Sequence, residues 1–247
     1  MVKFFHKKCC GACMTVGENM PTLTVIFIFA YLFVMVAYFF SETSGNHDRR
    51  KVNKIILASM FIIYAFIEMF HFHLWGGLFT ICFIGMVFCY IGDVWLLWSF
   101  TKGGISFAIG NVILFIFENL FFYSQGLTFG DYWWFLLILA VPYGTFLYLW
   151  FSGWYIRGSK KFMKYIFPFY ILTVSLHGTL AIAGLILLKP APTNFLLCTG
   201  LILFMISDYF ISLHKFKYLK SKAILRLNSG TYFTGLLLAA LCYTFVR

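Results

Sequence analysis

The chain has 247 residues, of which 62% are hydrophobic and only 11% are charged, whereas about 25% of the residues of an ordinary soluble domain are charged. This composition excludes a water-soluble fold, which has no way to bury so much apolar surface. The net charge of +11 does not indicate nucleic-acid binding, because the basic residues cluster at the ends of apolar runs and no basic recognition motif accompanies them.

Eight apolar runs follow one another along the chain, each long enough for a tilted transmembrane helix. The runs are continuous instead of alternating, which favours helices over membrane-spanning strands. The sequence therefore predicts an all-α polytopic membrane protein, a single bundle of about eight transmembrane helices over residues 22–247, behind a short polar N-terminal segment, residues 1–21. The predicted spans are 22–40, 55–72, 76–99, 104–123, 132–150, 164–188, 194–213 and 229–246.

The N-terminal segment contains Cys9, Cys10 and Cys13 beside Lys7 and Lys8, just before the first span. Such a cluster is compatible with acylation and with metal binding, although three thiols without a fourth ligand are a weak zinc pattern. We interpret the segment as juxtamembrane. The first span is too long for a signal-peptide core and lacks a convincing cleavage site after it, so we expect it to remain as a helix.

The second span carries Glu68 and His71, three residues apart, and His73 follows closely. A Glu-x-x-His pattern places both groups on one face of a helix, as in metal-binding bundles, and Glu118 of the fourth span points to the same half of the bundle. A metal-dependent membrane hydrolase is therefore one alternative, although only one such motif occurs. We interpret His177, in the middle of the sixth span, as a packed and hydrogen-bonded histidine.

Two aspartates, Asp93 in the third span and Asp208 in the seventh, are the main candidates for functional residues. A charged residue at the centre of a bilayer costs roughly 2.5 to 3.5 kcal/mol, so an acid there points to function unless a structural partner explains it. Both spans run toward the same side, and each aspartate lies five or six residues before the end of its predicted span. Asn111 and Tyr232 lie within about two helical turns of that side. The sequence therefore predicts a shared polar pocket.

Most of the 19 Lys and Arg residues flank the predicted spans on this same side of the bundle. Positive residues hold loops on the cytoplasmic side and attract anionic headgroups. We therefore expect the basic side to face the cytoplasm, with both chain termini outside, and we expect the protein to reside in the plasma membrane.

Small residues predict where helices approach closely. Two helices carry small residues at a spacing of four, which places them on one face of their helix. They are Gly104 and Ala108 in the fourth span, and Thr231, Gly235 and Ala239 in the eighth. Gly92, directly before Asp93, leaves room for another backbone or a ligand beside the carboxylate.

Residues 90–97, which include Gly92 and Asp93, are followed by the glycine-containing segment 104–110. Together they resemble the YhhN-like lysoplasmalogenase family of membrane hydrolases, in which a GD motif precedes a glycine-containing turn and an aromatic-rich helix. Residues 203–216, with Ser207 and Asp208, are similar to the family's second signature, an SD motif that ends in lysine and phenylalanine.

The resemblance extends from about residue 53 to the C-terminus. Thr231-Tyr232-Phe233 stands where the family tends to have Thr-Tyr-Tyr, whereas Asn111 replaces a histidine that is common in the family and Leu236 replaces a usual glutamine.

The family activity that the resemblance implies is hydrolysis of the vinyl-ether bond of a lysoplasmalogen. One carboxyl protonates the alkene carbon, and a second stabilises the resulting cation or orients water, so Asp93 and Asp208 are the expected catalytic pair. Asn111, Tyr232 and Ser207 are expected substrate-binding residues, and Lys215 or Lys217 is expected to attract the lipid phosphate. No cofactor is implied, and the expected partners are a lysophospholipid and the surrounding bilayer lipids.

A transporter or lipid-binding protein remains an alternative, because intramembrane acids serve proton coupling and substrate binding equally well. No persuasive inverted repeat with paired broken helices is found, which disfavours this alternative.

Overall fold

The computed structural model describes residues 22–44, 47–152, 163–216 and 221–246. Within these residues the chain forms eight α-helices, a final 3-10 turn and no β-strand, which confirms the predicted all-α class. The helices are α1 (Thr22–Thr43), α2 (His47–His71), α3 (Leu78–Leu96), α4 (Phe100–Ser124), α5 (Phe129–Phe151), α6 (Met163–Leu187), α7 (Pro192–Phe216) and α8 (Lys222–Leu241), and the 3-10 turn is Cys242–Phe245. The cysteines of the N-terminal segment lie outside the described residues.

The surface of the bundle is apolar over most of its height. Seven helices of the described chain, α1 to α7, are long and apolar enough to cross a bilayer. On α1, Phe33 and Phe40 are 76% and 73% exposed, an arrangement that is unfavourable in water and favourable against lipid tails. The chain is therefore an integral, multi-pass membrane protein.

Six helices form a closed ring in the order α2, α3, α4, α6, α7 and α8, with α8 returning to pack against α2. Helix α1 lies outside the ring against α2 and α8, and α5 lies outside it against α6. The pairs α3–α4 and α7–α8 are the most extensively packed. Because α3 and α7 belong to different pairs, the ring is what brings their side chains to a common interior.

Glycines allow the backbones of these two pairs to touch. On α7, a Cβ added to Gly200 would lie 2.7 Å from the carbonyl oxygen of Gly235 on α8, so the predicted close approach at Gly235 is confirmed. On α4 the contact is made by Gly103 and Gly110, and the prediction for Gly104 is wrong, since a Cβ there meets nothing within 4 Å. Neighbouring residues on a helix point about 100° apart, and four-residue spacing alone does not say which of the two glycines faces the partner.

Two helices begin well before the predicted spans. Helix α2 starts at His47 instead of residue 55, and α8 starts at Lys222 instead of residue 229. Hydropathy marks where a helix enters the hydrocarbon, whereas the helix itself continues into the headgroup region, where water solvates its polar side chains. Helix α4 also starts early, at Phe100, where Ser99 caps it by accepting a hydrogen bond from the Lys102 amide at 3.4 Å.

Candidate functional site

A cavity of about 100 Å³ lies inside the ring, at the end where α2, α4, α6 and α8 begin and α3 and α7 end. This volume is enough for several water molecules. Among the described residues, every helix except α5 contributes to its wall. The described wall residues are Tyr38, Arg50, Lys54, Asp93, Leu96, Phe100, Thr101, Gly104, Phe107, Phe167, Tyr170, Asp208, Ile211, Leu225, Asn228, Ser229, Tyr232 and Phe233. The wall is mostly apolar and aromatic, with a few polar groups that converge, as is typical of ligand sites.

Asp93 lies in the wall near the end of α3 and is only 2% exposed. The Lys54 ammonium of α2 forms an ion pair with Oδ1, with 2.9 Å between Nζ and Oδ1. The Tyr232 hydroxyl of α8 donates a hydrogen bond to Oδ2. Both oxygens of this carboxylate are therefore held, one by a cation and one by a hydroxyl, and three helices fix its position.

Asp208 lies in the same wall on α7 and is 6% exposed. The Tyr170 hydroxyl of α6 interacts with its carboxyl, and the charge of Asp93 acts on it. Among the described side chains, no cation forms an ion pair with Asp208. The structure thus brings the two predicted aspartates to one cavity but gives them different partners.

Only some of the predicted substrate-binding residues line the cavity in the described part of the chain. Tyr232 lines the cavity, whereas Asn111 and Ser207 are buried outside its wall. The Ser207 hydroxyl donates to the Phe204 carbonyl oxygen of its own helix at 2.7 Å. Lys215 is in the last turn of α7, but its side chain lies outside the described part of the chain, as does all of Lys217. The binding roles of these residues stay predictions.

Arg50 and Lys54 are the residues that sequence reasoning assigned to a loop and that the structure places in the cavity wall. A signal for Lys54 was present in the sequence. A buried carboxylate requires a partner, and Lys54 lies at the boundary between a charged turn and an apolar run, on the same side of the bundle as Asp93. No local signal identifies Arg50 instead of Arg49 or Lys51, since only the rotation of α2 distinguishes them.

The residues next to Asp93 contact α4 or are exposed. A Cβ added to Gly92 would lie 2.7 Å from the ring of Phe107. Phe107 of α4, which lines the cavity, therefore fills the space beside Gly92. A Cβ at Gly103 of α4 would lie 2.9 Å from the Gly92 carbonyl oxygen, so of the two predicted neighbours of Gly92, another backbone and a ligand, the structure shows the backbone. Trp95 and Trp98 are exposed, at 44% and 72%, and lie outside the cavity wall. Their position at the end of α3 is typical of the aromatic belt at a membrane interface.

The acids in the other half of the bundle, Glu68 and Glu118, are buried and lie outside the cavity wall. Glu68 interacts with the Tyr64 hydroxyl. In the described ranges, no three His, Cys, Asp or Glu side chains lie where they could hold a metal ion together. The metal-dependent alternative therefore lacks a ligand set there.

The prediction of a hydrogen-bonded His177 is wrong. Its side chain is fully buried, and neither ring nitrogen has a hydrogen-bond partner among the described residues. The ring packs against Phe204 instead, with 5.6 Å between the ring centroids.

Comparison with known proteins gives one result. The YhhN family model matches residues 49–242, a range that includes every residue of the cavity wall except Tyr38. No curated protein and no solved structure matches the chain.

Proposed function

The chain belongs to the YhhN family, and we propose that it is a membrane-embedded lipid hydrolase. Its proposed reaction cleaves the vinyl-ether bond of a lysoplasmalogen, giving a fatty aldehyde and glycerophosphocholine or glycerophosphoethanolamine. The observation that carries the proposal is that Asp93 and Asp208 line one buried cavity. Acid-catalysed hydrolysis of a vinyl ether needs a proton donor and an anion near the same bond, and this pair supplies both.

The partners of the two aspartates favour a division of roles. The ion pair with Lys54 and the hydrogen bond from Tyr232 stabilise Asp93 as a carboxylate. Asp208 has no such cation in the described structure and lies within the influence of the Asp93 charge. Two like charges in one poorly solvated cavity repel each other, so the pair tends to share a proton. We therefore assign the proton to Asp208.

In the proposed reaction, Asp208 transfers its proton to the alkene carbon that is not bonded to oxygen, and an oxocarbenium ion forms. Asp93 stabilises this cation and accepts a proton from the water that attacks it. The resulting hemiacetal breaks its bond to the glycerol oxygen, which leaves as a hydroxyl group, and the aldehyde is released. The attacking water supplies both protons that restore the site. The first passes through Asp93 to the departing glycerol oxygen, and the second leaves the hemiacetal hydroxyl as the aldehyde forms and returns to Asp208. The reaction is a hydrolysis, so no external oxidant or reductant is needed.

The end of the bundle that holds the cavity is also the basic end, and we propose that it faces the cytoplasm. A lysolipid of that leaflet then places its headgroup at the cavity mouth and its hydrocarbon chain against Phe, Leu and Ile side chains. The proposed membrane is the plasma membrane.

The reaction is tested with purified protein, a panel of vinyl-ether, alkyl-ether and ester lysolipids, and mass spectrometry of the products. We expect aldehyde from the vinyl-ether lipids, and we expect Asp93→Asn and Asp208→Asn each to lower its release by about a hundredfold or more. Asp48→Asn, an exposed position on α2, is the matched control and should keep full activity.

Each variant must still insert and purify as a monodisperse species. Full activity in either cavity variant contradicts the mechanism. Movement of lipid or protons across proteoliposomes without bond cleavage would instead identify a transporter.

A further inference from the structure

We propose that Arg50 binds the phosphate of the lysolipid headgroup at the mouth of the cavity. This inference rests on the proposed function and deepens it. It moves the phosphate site from Lys215 or Lys217, which the sequence had favoured, to the first turns of α2.

The first argument is the position of Arg50 on its helix. Arg50 and Lys54 are four residues apart, and so they lie on one face of α2, about 6 Å apart along the axis. Both line the cavity. Lys54 is the deeper of the two, since it is only 17% exposed and pairs with Asp93. Arg50 lies one turn nearer to the start of the helix and is half-buried.

The second argument is the depth of Arg50 in the bilayer. Its neighbours Asp48, Arg49 and Lys51 are exposed, and exposed charges are costly in hydrocarbon and well solvated in the headgroup region. The first turn of α2 therefore lies at the level of the lipid phosphates. A lysolipid can bring its phosphate to Arg50 without leaving its leaflet.

The third argument is the length of the ligand. In a lysoplasmalogen, the phosphate and the vinyl ether lie at opposite ends of a three-carbon glycerol, a separation comparable to one helical turn of about 5.4 Å. A phosphate at Arg50 therefore places the vinyl ether one turn deeper, beside Asp93. A guanidinium group suits this role because its planar set of donors matches two phosphate oxygens at once.

The surroundings of Arg50 are polar. Asn228 and Ser229 of α8 line the cavity as well. Behind them, Glu42 of α1 accepts hydrogen bonds from Tyr38 at 3.2 Å and from Ser229 at 3.4 Å. The charges of Arg50 and Arg226 both act on Glu42. Two guanidinium groups thus act on this one carboxylate.

The test measures binding of two ligands that the enzyme cannot cleave, a saturated 1-O-alkyl glycerophosphocholine and the 1-O-alkylglycerol with the same chain. Protein in nanodiscs is compared as wild type, Arg50→Gln, Arg50→Lys and Lys51→Gln. We expect Arg50→Gln to weaken binding of the phospholipid by about tenfold or more, as for a lost hydrogen bond to a charged group, and to leave binding of the alkylglycerol unchanged.

Two variants serve as controls. Arg50→Lys should recover part of the lost affinity, because it keeps the charge. Lys51→Gln should bind both ligands as wild type does, because it removes an equal charge from an exposed position of the same helix.

The proposal is overturned if Arg50→Gln leaves the phospholipid affinity unchanged or weakens both ligands equally. An equal loss in Lys51→Gln would also overturn it, because the effect would then be general surface charge. If inorganic phosphate displaced the phospholipid from wild type at similar concentrations, the site would be one for free phosphate instead of a lipid headgroup.

The two proposals fail separately. Aldehyde release from wild type together with no effect of Arg50→Gln would reject only the phosphate site. An effect of Arg50→Gln on binding together with no aldehyde release from wild type would reject only the vinyl-ether hydrolase.

Discussion

Asp93 is held between a lysine and a tyrosine inside a bundle where water is scarce. Removing the ammonium of Lys54 would leave the Asp93 carboxylate, which is 2% exposed, without its cation. An unpaired buried charge lowers the free energy of unfolding by more than the intact ion pair contributes to it. Lys54 is therefore expected to stabilise the fold through its ion pair with Asp93.

This reasoning predicts a specific pattern in thermal unfolding. Lys54→Met should destabilise the protein by about 3 to 5 kcal/mol, because the buried charge of Asp93 loses its partner. The double variant Lys54→Met with Asp93→Asn should recover most of this loss, because no charge remains to be compensated. Neither variant should release aldehyde. A Lys54→Met protein that unfolds at the wild-type temperature would show that the ion pair does not stabilise the folded state.

At the scale of helices, the contact between α3 and α4 depends on which glycines face the partner. A Cβ at Gly103 would lie 2.9 Å from the Gly92 carbonyl oxygen, a backbone atom that cannot rotate away, whereas a Cβ at the adjacent Gly104 meets nothing within 4 Å. Gly104 faces the cavity instead. The two neighbouring glycines therefore respond differently to the same substitution.

The prediction compares three variants by unfolding temperature and aldehyde release. Gly103→Ala should destabilise the protein by about 1 to 3 kcal/mol, because the two helices must move apart. Gly104→Ala should be neutral or stabilising by about 0.5 to 1 kcal/mol, because alanine favours the helix. Gly104→Phe should remain folded and lose activity by about a hundredfold or more, because its ring fills the cavity and displaces the substrate. An active Gly104→Phe variant would mean that the substrate lies elsewhere.

For the molecule as a whole, the closed ring of six helices determines where the cavity opens. The cavity lies at the basic end of the bundle, so the predicted orientation decides from which leaflet the substrate enters. Ser44 lies at the basic end and Gln125 at the opposite end, and both are exposed. The cysteines of the described bundle are all buried, which makes added cysteines useful as reporters.

Orientation is measured with a membrane-impermeant maleimide on cells that carry a chain in which Cys9, Cys10 and Cys13 are replaced by serine. Gln125→Cys should react in intact cells, whereas Ser44→Cys should react only after the membrane is permeabilised, since positively charged loops are retained in the cytoplasm. The reverse pattern would place the cavity mouth on the outer side of the membrane.

Hydropathy alone predicted the helical class, the number of helices and the approximate positions of the seven spans α1 to α7. Hydropathy is a sum over neighbouring residues, so it can be read without knowledge of the fold. Exposing backbone polar groups to lipid costs free energy, and a continuous apolar run avoids this cost by forming a helix. The aspartates were also visible in the sequence, because an acid in an apolar run is conspicuous without any knowledge of its neighbours.

The surroundings of those aspartates became visible only with the packing of the helices. The rotation of each helix about its axis determines which side chains meet in the cavity. It pairs Asp93 with Lys54, leaves Asp208 without a described cation and places Arg50 at the cavity mouth. Rotation is set by contacts between residues far apart in the chain, such as Gly200 with Gly235. Hydropathy contains no information about such contacts. The need of a buried carboxylate for a partner pointed to Lys54 as a candidate, whereas Arg50 could be recognised as a wall residue only after the ring had been assembled.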